Sequence, residues 1–86
     1  MKLIELLNVF PTGEQTPITL HEAPTYKTLK LSLVERGMYE LDYSDLPDLI
    51  EWLEDEVEEF YLMENRVHIL IRTTPGHKEY VEATRL

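Results

Sequence analysis

Carboxylates are the residues with the most chemical potential in this sequence, and they are concentrated in one stretch. Eleven of the 17 acids (Glu40, Asp42, Asp45, Asp48, Glu51, Glu54, Asp55, Glu56, Glu58, Glu59 and Glu64) fall between Arg36 and Arg66, where there is no lysine or arginine. Asp48, Glu51, Asp55 and Glu58 recur every three or four residues, which on a helix would set them roughly 5–6 Å apart along one face. Such a row compares in spacing with successive DNA phosphates and suits a basic partner surface. A solvated face that only keeps the protein soluble would use the same residues. Trp52 falls at the rim of the adjoining apolar stripe, where an indole either closes the core or anchors an interface. The partner-binding candidates are therefore Asp48, Glu51, Trp52, Asp55 and Glu58.

Other chemistries have little to stand on. The acids are too numerous to single out a general acid and base, and there is no G-x-S-x-G, Walker A, G-x-G-x-x-G or H-E-x-x-H pattern. His21, His68 and His77 lie far apart, with no ligand partner three or four residues further on. With no cysteine, disulfides and thiolate-bound metals are excluded. The chain reads as non-enzymatic, with no catalytic residue, no metal and no cofactor.

At 86 residues it reads as one domain, 1–86, with 43% hydrophobic residues to build a core in spite of a net charge of -9. A domain of this size buries only about 60–65% of its unfolded surface, which makes a homodimer through Trp52 and other aromatics an expectation. The acidic balance repels phosphate backbones and anionic lipid, so the expected partner is a protein with a basic surface, with no direct nucleic acid and no membrane. No window approaches the roughly 18–20 apolar residues of a membrane span. The opening MKLIELLNVF has no small-residue cleavage site, and these features together point to the cytoplasm.

The elements that must position these residues follow from periodicity. Leu3, Leu6, Leu7 and Phe10 share a helical stripe that Pro11 ends, predicting a helix over 2–10. Residues 17–22 alternate as a half-buried strand. Two further alternations, 28–33 and 39–43, predict a hairpin in which Gly37 takes a positive φ and Tyr39 and Tyr43 face the core. Asp45 as N-cap, Pro47 in the first turn and a face of Leu46, Leu49, Ile50, Leu53 and Val57 predict a second, acidic helix. A helix continued past Glu56 would put Leu62 among the acids. Residues 57–63 are therefore expected to be a strand turning at Glu64-Asn65 into 66–72, with the longer helix as the open alternative. The tail, 73–86, is expected to be an edge strand or a loose attachment.

The opening M-K-L-x-E-L-L, the strand PITLHE, the helix start DYSDLP and the closing ENRVHILI together resemble the short acidic accessory proteins of bacteriophages and prophages of Gram-positive bacteria. The resemblance implies action in the host cell cytoplasm on a host or phage protein, and carries no catalytic residues. In charge and size the chain is also similar to anti-CRISPR and anti-restriction inhibitors.

The expected fold is therefore α+β: an antiparallel sheet of four to five strands with two helices, the acidic one packed on one sheet face. The expected function is a non-enzymatic protein-protein interaction module. The alternatives are an acidic DNA-mimic inhibitor of a nucleic-acid-binding enzyme and, third, a structural oligomer-forming component.

Overall fold

Strands β1 (Gln15–Glu22), β2 (Lys27–Glu35), β3 (Glu56–Met63) and β4 (Arg66–Arg72) form one sheet in the order β2-β1-β4-β3. The structure, a computed structural model, describes residues 1–72, so the expectation for 73–86 lies outside the described residues. Two antiparallel hairpins, β1β2 and β3β4, meet along a parallel β1–β4 junction, which makes the sheet mixed. Ile69, Leu70 and Ile71 of β4 are all buried, the near-continuous apolar run of a central strand covered on both faces. Ile18 and Leu20 of β1 and Ile69 and Ile71 of β4 face a core completed by Leu3, Leu6, Leu7, Leu41, Leu46, Leu49, Trp52 and Leu53.

The domain is mostly β, which corrects the expectation of two helices on an antiparallel sheet. Among the described residues the one α-helix is α1 (Leu3–Leu7), shorter than the stripe over 2–10 predicts. Glu5 accepts the Lys2 N–H at 2.8 Å and closes its first turn. Beside it the chain start pairs with the approach to β3, through Leu3 N–H to Asp55 O, Ile4 N–H to Leu53 O and Val57 N–H to Met1 O.

The acidic helix is replaced by turns. Two 3₁₀ turns, Tyr43–Asp45 and Pro47–Leu49, open a run in which Leu46, Leu49, Trp52 and Asp55 each donate N–H to the carbonyl three residues before. A three-residue period therefore replaces 3.6, burying Leu46, Leu49, Trp52 and Asp55 together and leaving Ile50 exposed. The physical reason lies in the chain start and one pair of acids: the Leu53 and Asp55 carbonyls that a continued helix would use accept the Ile4 and Leu3 N–H groups instead, and an α-helix would add Glu51 and Asp55 as like-charge neighbours four residues apart. Asp42 reinforces the turned form. Its carboxylate accepts from the Ser44 hydroxyl at 2.6 Å and the Ser44 N–H at 2.8 Å, while Asp45 accepts the Asp42 N–H. The Ser44 hydroxyl and N–H hold the Asp42 carboxyl below the usual carboxylate range, so what this turn contributes to stability persists at neutral pH and is lost only as pH falls through that lowered value.

The hairpin expected between 28–33 and 39–43 is also corrected. β2 pairs with β1 instead, through the four-residue connection 23–26 closed by Tyr26 N–H to Glu22 O at 2.7 Å. Tyr39 and Tyr43 consequently lie exposed in the loop after β2 rather than in the core. Gly37 has no positive φ; its missing Cβ would sit 2.8 Å from the Tyr39 ring, so the glycine makes room for a close ring contact. Residues 57–63 are strand, joined to β4 by Glu64 and Asn65 at φ 55° and 61°, a two-residue turn of the primed kind that matches strand twist.

One side chain ties the loop to the helix. Asn8 donates to the carbonyls of Ile4 and Leu41, both at 3.2 Å, and accepts the Leu41 N–H at 2.7 Å. Replacing Asn8 by Ala removes all three bonds and leaves partly buried backbone groups unpaired, so urea denaturation should show a loss of about 1–3 kcal/mol. A loss within error would mean that the loop is held by its apolar residues alone.

Candidate functional site

The five sequence-derived candidates do not share one face. Asp48 and Glu51 are exposed on the turned segment and Glu58 is exposed on β3, whereas Trp52 is 5% and Asp55 2% exposed. The Trp52 ring belongs to the core, so it is not presented as an anchor for a dimer. Ion pairs divide the acids further. The N-terminal amine pairs with Glu56, Lys2 with Glu54 and Arg72 with Glu58. Glu54 holds the Lys2 ammonium above the usual lysine range, chiefly through their hydrogen bond. Among the described residues Glu40, Asp42, Asp45, Asp48 and Glu51 have no such cation, so uncompensated charge gathers on the loop leading to β3.

That loop also carries exposed apolar groups: Met38, at 99% exposure, with Tyr39, Tyr43 and Ile50. Its base is fixed by Asn8 and by the buried Leu41, Leu46 and Leu49, so acids and aromatics are displayed from an anchored support. Between the loop and β2 lies an open pocket of about 300 Å³ lined by Leu33, Glu35, Gly37, Tyr39, Asp45 and Leu46. Two carboxylates, a tyrosine ring and two leucines suit the long aliphatic stem and cationic head of a lysine or arginine.

A second constellation was not visible in the sequence. His21 of β1 and His68 of β4 meet across the parallel junction, with Nε2 of His21 2.9 Å from Nδ1 of His68. Tyr61, directly opposite His68 on β3, stacks on its ring with centroids 5.0 Å apart and planes 6° from parallel. The hydrogen-bond chain assigns the tautomers. The Tyr26 carbonyl, 3.2 Å from His21 Nδ1, can only accept, so that nitrogen carries the proton and His21 Nε2 accepts from His68 Nδ1–H. His68 Nε2 is then a bare lone pair, buried with no hydrogen-bond partner among the described residues. On the same junction Arg66 donates from Nε to the Thr19 hydroxyl at 3.0 Å and from an Nη to the Ile18 carbonyl at 2.6 Å. Finding the pair from sequence would have required knowing that Thr19 stands opposite His68 in a parallel register.

Among the described residues no group of three or more His, Cys, Asp or Glu could hold a metal ion, and no helix is long and apolar enough to cross a membrane. Comparison with protein-family models, with curated proteins and with solved structures returns no match.

Proposed function

We propose that this chain is a non-enzymatic protein-binding module that offers the loop 38–51 to a basic surface of a host or phage protein. The observation that supports the reading most is the loop itself, where five acids without a paired cation among the described residues are interspersed with exposed Met38, Tyr39, Tyr43 and Ile50. Mixed apolar and acidic surface of this kind gives both contact area and charge selection, and the pocket beside Tyr39 accepts one basic side chain of the partner. The four-carboxylate row that motivates DNA mimicry is broken, because Asp55 is buried and Glu58 is ion-paired to Arg72 on β3. A partner held through mixed contacts is therefore the reading adopted.

The test is affinity capture from the natural host lysate with the parent chain and with a Tyr39→Ala/Asp45→Lys/Asp48→Lys/Glu51→Lys variant. The parent should retain a specific protein that the variant loses. Binding should weaken, without vanishing, as salt shrinks the Debye length from roughly 10 Å at 0.1 M to 3 Å at 1 M. Equal capture of the same protein by a folded variant would overturn the proposal.

A further inference from the structure

We infer that the His21–His68 pair is a proton-sensitive clasp between the two hairpins. Within the sheet the hairpins meet only along β1–β4, and the face of that junction is crossed by the imidazole pair and by Arg66. The clasp stands on this geometry alone; its link to partner binding rests on the function proposed above. The acidic loop starts on one hairpin and ends on the other, so the relative position of the two sets the shape of the loop.

Proton counting gives the mechanism. In the neutral pair the Tyr26 carbonyl accepts from His21 Nδ1–H, and His21 Nε2 accepts from His68 Nδ1–H. A third proton can leave the central bond intact, but it converts the buried His68 Nε2 from a bare lone pair into an N–H with no acceptor among the described residues. A fourth sets N–H against N–H across 2.9 Å, and the bond is replaced by repulsion between two imidazolium rings. By strand alternation, the other titratable and charged groups on this face are Tyr61, Glu59 and Glu56 from β3, Arg66 and Arg72 from β4, with Glu58 held at Arg72 by its ion pair, and Glu35 from β2, which also places Thr28 opposite His21. By register Glu59, opposite Leu70, is the carboxylate nearest the pair, while Glu56 and Glu58 lie at Arg72. Arg66, fixed over the same junction, adds a cation that opposes a second and third positive charge there.

Two measurements on the full chain test the clasp. Imidazole ¹⁵N shifts at about pH 8 should show both rings protonated on Nδ1 and bare on Nε2. Amide exchange across the junction, corrected for intrinsic rate, should then report an opening that grows about tenfold or more between roughly pH 8 and pH 5, the span in which imidazoles change charge. His68→Phe keeps a ring against Tyr61 but takes no proton, and should remove this response; His21→Phe serves the same purpose if that variant does not fold. An Nε2–H tautomer on either ring, or the same growth of opening in the variant as in the parent, overturns the inference. The exchange measurement uses no partner, so it can fail while the loop still binds, and partner capture can fail while the clasp still opens.

Discussion

Ile69→Ala and Leu53→Ala are each expected to destabilise the fold by about 2–5 kcal/mol, the range for emptying a well-packed aliphatic site. Both side chains are completely buried. Ile69 sits at the centre of β4, opposite Leu20 of β1 on one side and Phe60 of β3 on the other, so truncation opens a cavity where the two hairpins share a core. Leu53 fills the core from the turned segment, and its carbonyl accepts the Ile4 N–H. A small domain holds only about 0.05–0.15 kcal/mol per residue, so either change should leave much of the population unfolded. Leu62→Ala on β3 is the control. At 74% exposure that side chain loses little when truncated. Urea midpoints for the three variants would decide the matter, and a loss below about 1 kcal/mol for Ile69→Ala would contradict the packing described here.

Local signals in the sequence were reliable where the structure is local. The hairpin of 57–63 with 66–72 is set by a two-residue turn and direct antiparallel pairing, both readable from neighbouring residues. Even there the argument from Leu62 was the wrong one, since Leu62 is exposed on the strand. The strand over 17–22 was legible for the same local reason, while its pairing was not. Alternation in 28–33 and 39–43 satisfies a hairpin pattern, but Leu41 is taken by Asn8 and the outer side of β2 is left without a strand partner among the described residues. The parallel β1–β4 contact joins residues about fifty positions apart and leaves no mark in either segment. The two histidines that it brings together were legible only as isolated residues.

The acidic segment shows the limit of a helical wheel most clearly. Leu46 and Leu49 fit both an apolar stripe at 3.6 residues per turn and a strict spacing of three, whereas Trp52, at the rim of the helical stripe, falls in line only with the second. Choosing between them required knowing that the chain start, about fifty residues away, takes the Leu53 and Asp55 carbonyls. The spacing of three continues to Asp55, which is why an acid assigned to the solvent face is buried, whereas Ile50, assigned to the core face, is exposed. Of the five candidate residues, Asp48 and Glu51 remain together on the proposed loop, Glu58 is ion-paired on β3, and Trp52 and Asp55 lie inside.

Charge reversal separates these two groups of acids. Asp48→Lys with Glu51→Lys should shift stability by no more than about 0.5 kcal/mol, because exposed substitutions away from caps and cores rarely do more. The same double variant should lose much of its capture of a basic partner. Adding Asp55→Lys should unfold the domain. Asp55 is 2% exposed, its N–H closes the turn on the Trp52 carbonyl, and its own carbonyl accepts the Leu3 N–H, so it joins the turned segment to the chain start. A lysine there must bury an ammonium or tear that joint open, and an uncompensated buried charge costs several kcal/mol. Thermal melts of the parent, double and triple variants, followed by circular dichroism, measure the difference directly. A triple variant that melts with the double variant would place Asp55 in solvent and return the segment to a helix with one acidic face. A triple variant that is unfolded while the double melts with the parent fixes the three-residue spacing, and confines any charge-driven binding to the exposed acids of the loop.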